Sequence, residues 1–413
     1  MTTETITRPR YAALRYQNFK LLWLGLIVSN MGTWMQNVAN GWLTLQLTNS
    51  PLWLGMLGLS VAIPMILLPP IAGAVVDRVN RIRLLFFTQS MQSLIVIVLA
   101  VLTWSGKVQI WHILSVSFIG SALLAFDNPT RHALVPDLVQ PHDLLNALSL
   151  NSVTYTGAVL IGPALAGLLI EPLGAGTLFF LNSISFLAVI LALTTMRNVR
   201  THGGGQHGSL GNTFWKGLVY VWNDRFILAL LALSAVGAIF GRSYQYLLPA
   251  FSSDIFHAGS QGYGFLLAAV GGGALTGALG LASLKRVPHQ GAVMLTNGLL
   301  FGVILMGFSL TSNFIIGIIL LFIGGIAIVI FSTMIATFIQ MSVPNEMRGR
   351  IMSLYTVTLI GLPSLGAMGS GAVAEWLGGV KGTSHAVLLG ATIMVTILFA
   401  VTPMFWKRVL PER

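Results

Sequence analysis

Two charged side chains inside long apolar runs are the residues of this chain best placed to do chemistry. Asp127 lies in the segment Phe126 to Arg131, and Arg242 is the only cation deep inside a run. A central cation costs about 2.5–3.5 kcal/mol on insertion scales, so Arg242 should face protein or water. Arg131, four residues after Asp127, could form a local ion pair with it; the alternative is a carboxylate that gains and loses a proton. Asp127 and Arg242 are our candidates for proton coupling.

Uncharged polar side chains concentrate in three of the apolar runs. In a membrane, such groups either join neighbouring helices or line a water-filled cavity, and a single residue does not discriminate between these roles. Their accumulation next to aromatic side chains favours a cavity for a ligand that is partly polar and partly apolar. The predicted cavity residues are Gln36, Asn40, Asn151, Tyr155, Tyr244 and Gln245.

A run of small residues in the first half predicts close packing of one helix against its neighbours. It contains Gly157, Gly162, Pro163 and Gly167. Glycine lets helix backbones touch, and Pro163 removes one backbone hydrogen bond and bends the helix. This packing would serve a membrane protein of any function.

A short basic segment joins the second and third apolar runs. Gly73 and Asp77 lead into it, and Arg78, Arg81 and Arg83 follow. Asp77 would be an anion at a helix end among cations, so it needs a defined partner. The simplest interpretation is a basic loop that only fixes the membrane topology.

The composition places all these residues in a membrane protein. Hydrophobic residues make up 55% of the 413 residues and charged residues only 8%, too few to cover a soluble surface. Cysteine is absent and no histidines have the spacing of a metal site, so we expect no metal and no cofactor. The net charge of +11 is dispersed, which gives no reason to expect a nucleic-acid partner. No GxxxxGK[ST] loop and no cluster for acid–base chemistry occur, so neither direct ATP drive nor an enzyme is expected.

The basic residues also predict the topology. We count twelve apolar runs, and every Lys and Arg except Lys107, Lys381 and Arg242 falls in alternate gaps between them. Because short basic loops stay in the cytoplasm, the chain should form twelve transmembrane helices with both termini inside the cell. The N-terminal run lacks a cleavage site and should be retained as the first helix.

The chain consists of two related halves. The segment Val139 to Gly174 aligns without a gap on Val343 to Gly378 and places Glu171 on Glu375. We therefore predict an all-α membrane fold with two parallel-repeat six-helix bundles, residues 1–196 and 226–413. The linker, 197–225, should contain an amphipathic helix that lies in the cytoplasmic interface and exposes Trp215, Leu218, Val219 and Trp222 on one face.

These motifs resemble one branch of the major facilitator superfamily, the enterobactin-exporter-like and macrolide-efflux-like group. The similar segments are Gly32 to Gln36, Thr48 to Pro51, Gly73 to Arg83, Asp127 to Arg131, Gly162-Pro163 and Val343 to Arg350. In that superfamily the aspartate of the second loop contacts the start of helix eleven and helps to close the cytoplasmic side. The resemblance thus implies a latch between Asp77 and the segment with Arg348 and Arg350, a gate that also includes Gly73, Arg78, Arg81 and Arg83.

The resemblance also implies a function. It indicates a transporter of the bacterial inner membrane that exports small amphipathic molecules, of siderophore or drug type, in exchange for protons. We expect a small-molecule substrate, protons and the lipid bilayer as partners, and a monomer. An importer or a lipid flippase would have the same fold, and a membrane receptor or scaffold that transports nothing is an alternative of another class.

Overall fold

Helices, most of them long and apolar, make up most of the described structure. The computed structural model describes residues 11–196, 210–284 and 286–409; within these, the side chains of Pro70, Asp77, 210–216 and 403–409 are outside the description. The α-helices are α1 (Gln17–Thr48), α2 (Pro51–Leu67), α3 (Pro69–Arg78), α4 (Arg81–Trp104), α5 (Ile110–Leu138), α6 (Leu144–Thr195), α7 (Leu210–Asn223), α8 (Arg225–Val236), α9 (Tyr244–Ala250), α10 (Gly259–Ser283), α11 (Gln290–Leu310), α12 (Phe314–Ser342), α13 (Asn345–Trp376) and α14 (Thr383–Val409).

Several short segments modify these helices. Two π-helical segments, Gly237–Arg242 and Phe251–Ile255, precede and follow α9, so that α8 and α9 form one interrupted membrane helix. Pro69 and Pro70 separate α2 from α3, since neither can continue the hydrogen-bond ladder of the preceding turn. Short 3₁₀ turns occupy Ala12–Arg15, Pro141–Asp143 and Gly379–Gly382.

The long helix α6 crosses the membrane twice. Nine segments of the described residues are long and apolar enough to span a bilayer, and one of them, Pro141–Thr195, has 55 residues. A straight helix of that length would measure about 80 Å, against a hydrocarbon core of about 30 Å. Gly174 has a φ of 76° and reverses the chain.

Contacts with α1 confirm the hairpin. Trp23 Nε1 donates to the carbonyl oxygen of Leu150 on the first arm of α6. A Cβ at Gly25 would lie 3.0 Å from the carbonyl oxygen of Ala188 on the second arm. With α6 counted twice, and with α1 and the α2–α3 pair included, the described chain makes the twelve crossings that the sequence predicts.

The internal repeat is visible in the backbone. Gly378, which the sequence alignment places on Gly174, also has a positive φ, of 117°, and lies where the chain turns from α13 to α14. The same type of reversal therefore ends the fifth and the eleventh crossing. This supports two parallel-repeat bundles, which we call the N-half (α1–α6) and the C-half (α8–α14).

The two halves touch at one face of the molecule and diverge toward the other. We call the face with α7 the linker face and the opposite one the far face. A Cβ at Gly264 of α10 would lie 2.5 Å from the carbonyl oxygen of Pro163, and one at Gly55 of α2 would lie 2.7 Å from that of Ala367 on α13. Nearer the linker face, Gly73 and Gly280 have no heavy atom within 4 Å of such a position. The space between the halves thus opens toward the linker face.

Helix α7 lies across this opening. It packs against α3 of the N-half and α13 of the C-half, where Gly217 meets Arg350 and Leu354. The opposite side of α7 is exposed, with Trp222 at 76%. This arrangement suits a helix in the membrane interface, as the sequence indicates.

Candidate functional site

A cavity of about 280 Å³ lies between the two halves near the middle of the membrane helices. The N-half supplies most of its wall, and α9 and α10 of the C-half complete it. The lining combines amides and hydroxyls with aromatic and aliphatic side chains: Thr33, Trp34, Gln36, Asn37, Asn40, Gly41, Leu57, Val61, Gln92, Ile95, Val96, Val116, Ser117, Gly120, Ser121, Leu124, Asn182, Phe186, Gln245, Tyr246, Tyr263 and Leu267. Such a mixture suits a ligand with polar groups on an apolar body.

Some amides of the cavity keep unused hydrogen-bonding capacity. Asn182 donates from Nδ2 to Oε1 of Gln36, so these two side chains satisfy each other. In contrast, Oδ1 of Asn40 and Nε2 of Gln92 have no hydrogen-bond partner among the described residues, although both atoms are buried. Since an unpaired buried polar atom costs about 1–3 kcal/mol, these two groups are ready to bind a ligand.

Of the six predicted cavity residues, Gln36, Asn40 and Gln245 line the cavity. Asn151 and Tyr155 lie on the first arm of α6, nearer the linker face; Tyr155 is 57% exposed and its ring meets the edge of Trp34 at 6.4 Å. Both belong to the opening rather than to the cavity wall.

Tyr244 lies outside the cavity. It is 2% exposed and packs against Phe301 and Phe308 inside the C-half. Tyr246, two residues later, takes the place on the cavity wall, because residues two apart on a helix point in different directions.

Most of the lining residues were not among the predicted ones, and two of these, Gln92 and Asn182, are amides. Gln92 lies near Gln89 and Ser93, and Asn182 lies beside Ser183, so each belongs to a short polar cluster within an apolar run. A buried amide was the available signal, but it does not distinguish a cavity from a helix contact.

Asp127 is fully buried inside the N-half and forms the local ion pair with Arg131. Its Oδ1 also accepts hydrogen bonds from Thr88 Oγ1 at 2.9 Å and from Gln89 Nε2 at 2.8 Å, both on α4. The cluster lies one helical turn from Gln92 and Leu124 of the cavity wall. Helices α4 and α5 therefore connect Asp127 to the cavity wall.

Arg242 ends the first π-helical segment and is partly exposed. Its Nη1 lies 3.4 Å from the carbonyl oxygen of Leu359, a long hydrogen bond, and no described carboxylate pairs with it. The side chains of Tyr155, Tyr246 and Tyr355 are close enough to feel its charge. The guanidinium thus lies between the halves, one turn from Gln245 and on the linker side of the cavity.

The predicted gate residues are not joined across the halves in the described structure. Arg81 Nη1 binds Asp137 at 2.6 Å and the carbonyl oxygen of Ala133 at 3.1 Å, and so it ties α4 to α5 within the N-half. Arg350 Nη1 lies 3.2 Å from Met347 Sδ on its own helix. Arg78, Arg83 and Arg348 are exposed.

The remaining gate residues agree with an open linker face. Gly73 and Gly349 have no heavy atom within 4 Å of a built Cβ. The side chain of Asp77, the central residue of the expected latch, lies outside the described part of the structure. The Asp77 latch therefore stays a prediction.

Two repeat-equivalent carboxylates connect the halves at the far face. Glu375 Oε2 accepts a hydrogen bond from Ser50 Oγ at 2.7 Å and is 3.5 Å from the backbone nitrogen of Leu52. Glu171 Oε2 accepts a hydrogen bond from Gln261 Nε2 at 3.3 Å. Each carboxylate lies at the first turn of a helix in the other half, where an anion is favoured by the helix dipole.

The predicted packing run on α6 contacts other helices over only part of its length. A Cβ at Gly162 would meet Trp34, and one at Gly167 would lie 2.8 Å from the carbonyl oxygen of Ser260; the carbonyl of Pro163 meets Gly264. Gly157 has no heavy atom within 4 Å of a built Cβ. In this conformation it makes no helix contact, unlike the other three residues.

The site contains no arrangement suited to a bound metal. No group of three or more His, Asp or Glu side chains that could hold an ion occurs among the described residues. What the described site offers is the binding of a ligand of mixed polarity between the two halves.

Comparisons with known proteins give one consistent result. Residues 8–409 match the family described as transmembrane secretion effector. The chain is 25% identical to the staphyloferrin A transporter of Staphylococcus aureus (strain NCTC 8325 / PS 47) over 89% of its own length and 92% of that protein. It is also 25% identical to macrolide efflux protein A of Streptococcus pyogenes over 93% and 96%. Identity to the multidrug efflux pump Tap of Mycolicibacterium fortuitum is 24% over 92% and 93%.

Solved structures share the fold. The nucleoside transporter NupG superposes with a TM-score of 0.76 at 14% sequence identity, over 93% of this chain and 99% of that one. A bacterial homologue of the human lysosomal transporter Spinster gives a TM-score of 0.75 at 15% identity, over 98% and 99%.

Proposed function

Because the chain belongs to the transmembrane secretion effector family of the major facilitator superfamily, we propose that it exports small amphipathic molecules from the bacterial cytoplasm by alternating access. The family consists of transporters, and the chain is a multi-pass membrane transporter and not an enzyme. We place it in the inner membrane as a monomer, with both termini in the cytoplasm as the basic residues indicate.

The observation that carries the proposal is the central cavity, which is closed at the far face and open at the linker face. With the linker face in the cytoplasm, this conformation would load a cytoplasmic molecule. The wall combines Trp34 and Phe186 with the free amide atoms of Asn40 and Gln92, which suits a molecule of mixed polarity. Three relatives are named for a siderophore, a macrolide and multiple drugs, and we propose a substrate of siderophore or drug type.

Release requires the opposite conformation. We propose that the bundles 1–196 and 226–413, joined by the 197–225 linker, rock about the central cavity. This motion would separate Glu171 and Glu375 from their partners at the far face. Closure of the linker face would bring Asp77 to the start of α13, where a free helix N-terminus and two arginines, Arg348 and Arg350, favour an anion.

Asp127 is our candidate for coupling to protons. Its protonation would weaken the ion pair with Arg131 and the hydrogen bonds that hold Thr88 and Gln89 of α4. Since Gln92 of the cavity lies one turn further on α4, proton binding and ligand binding would influence each other. Arg242 is the alternative, with its charge acting directly on the cavity.

The proposal is tested by the accumulation of a panel of drugs and siderophores in cells with and without the protein, each with and without a protonophore. We expect lower accumulation of some compounds when the protein is present, and no such difference when the gradient is removed. Uptake into inverted but not right-side-out vesicles would establish export. Uptake only into right-side-out vesicles would show that the protein is an importer. Movement of lipid analogues alone would show a flippase, and no movement of any compound would favour a receptor or scaffold.

A further inference from the structure

The position of Arg242 in its helix is unusual. The π-helical segment that it ends has one extra residue per turn, and such segments occur frequently at functional sites. The glycines of the segment pack tightly inside the C-half: a Cβ at Gly237 would meet Phe331, and one at Gly241 would meet Phe301. Arg242 instead reaches α13 at Leu359 and lies near Tyr155 of the N-half. The segment therefore holds a guanidinium in the space between the halves.

No carboxylate of the described residues pairs with this guanidinium. The three ion pairs of the described structure involve Asp127, Asp137 and Asp143, and none includes Arg242. The guanidinium of Arg242 has five N–H donors, and their one hydrogen bond in the described structure is the long contact with the carbonyl oxygen of Leu359. Since a cation within the membrane is costly, one without a protein counter-charge is expected to have a function.

The surroundings of Arg242 come from both halves. Tyr246 lines the cavity and binds Ser364 through its hydroxyl, and Tyr355 donates its hydroxyl proton to the carbonyl oxygen of Ser332, so both rings are fixed in the C-half. Tyr155 belongs to the N-half and is exposed to the opening. An acceptor bound by Arg242 could also accept a hydrogen bond from Tyr155 and would thereby join the two halves.

We propose that Arg242 is the anion subsite of the cavity and that the preferred substrates are organic acids: a carboxylate binds Arg242 while an apolar or aromatic body occupies the space beside Trp34. The planar fork of a guanidinium matches a carboxylate with two parallel hydrogen bonds. The inference rests on the proposed function for the identity of the cavity, and it adds the chemical class of the substrate.

The test uses two dyes that differ only at one carboxyl group, rhodamine B and its ethyl ester. Their binding to the purified full-length protein in nanodiscs is measured by fluorescence polarisation, with empty nanodiscs as the blank. We expect the acid to bind more tightly than the ester by about ten-fold or more, as for a charge-assisted hydrogen bond. In Arg242→Gln the affinity for the acid should fall by about ten-fold and that for the ester should change by less than about two-fold.

Two further variants separate charge from structure. Arg242→Lys should keep part of the preference for the acid, since it keeps the charge but loses the fork. Lys107→Gln removes an exposed cation far from the cavity and should bind both dyes as the wild type does. The inference is overturned if Arg242→Gln weakens the binding of both dyes equally or leaves the preference for the acid unchanged. It is also overturned if the wild type shows no preference for the acid over the ester.

If Arg242→Gln does not fold, a ligand-displacement experiment on the wild-type protein tests the inference instead. Naphthoate should displace bound rhodamine B, whereas naphthamide at the same concentration should not; equal displacement by both overturns the inference. Binding needs no gradient and no direction of transport. Acid-selective binding without transport would refute the proposed function alone, and export without selectivity for acids would refute the anion subsite alone.

Discussion

The far-face contacts of Glu171 and Glu375 should set the balance between the two conformations of the transporter. Glu375→Gln keeps a hydrogen-bonding group beside Ser50 but removes the charge at the first turn of α2. An exposed carboxylate at a helix N-terminus contributes about 0.3–1 kcal/mol, so the variant should shift the population away from the far-face-closed state by about two- to five-fold. The double variant with Glu171→Gln should shift it further, because the two sites are far apart and their effects add.

Spin labels at the linker face can measure this shift directly. The chain has no cysteine, so Leu145→Cys and Met341→Cys, at two strongly exposed positions of opposite halves, can be labelled without removing native thiols. Electron–electron double resonance measures the distance between the two labels. Short distances should be more populated in Glu375→Gln than in the protein that keeps Glu375, because the linker face is closed more often. Asp254→Asn, another exposed far-face carboxylate without an ion pair in the described structure, serves as the control. An unchanged distance distribution in Glu375→Gln, or an equal shift in Asp254→Asn, would refute the reasoning.

Three other predictions concern packing, coupling and the cavity. Gly264→Val should abolish transport in vesicles by forcing α10 away from a backbone carbonyl of α6, whereas Gly280→Val, at a position without neighbours, should transport normally. Asp127→Asn should lower the melting temperature, because an unpaired Arg131 in a buried position costs about 3–5 kcal/mol. The double variant with Arg131→Gln should regain stability but lose proton-driven transport. Normal proton-driven transport in the double variant would contradict the assignment of Asp127 to coupling. Gln92→Leu should leave the melting temperature unchanged or higher, since it removes an unpaired donor, and should weaken the binding of polar substrates; a lower melting temperature would argue against this.

The fold could be predicted well because its determinants are local and repeated. Apolar runs of sufficient length must become helices in a bilayer, and alternate basic gaps order them. The repeat also placed Gly174 and Gly378 at equivalent turns, where only a residue that tolerates positive φ fits easily. These features depend on few long-range contacts.

The cavity could be predicted only in part, for physical reasons. Gln36 and Asn40 are four residues apart on a regular helix, so both share one face and both line the cavity. Tyr244 follows a π-helical segment, whose extra residue rotates the later positions, and it points into the C-half instead. Gly157 belongs to a packing motif, yet the space beside it is open in the structure, and the motif alone does not reveal which of its glycines make contacts.

The far face has almost no connecting loops. Gly174 alone reverses α6, a residue pair joins α1 to α2, and the longest link described on that side, residues 377–382, joins α13 to α14. Proteases and antibodies that approach the far face would therefore find little polypeptide to recognise. Affinity tags and conformational binders for this transporter are best directed to the side with α7, where that helix itself and the turn Pro141–Asp143 offer polypeptide between the membrane helices.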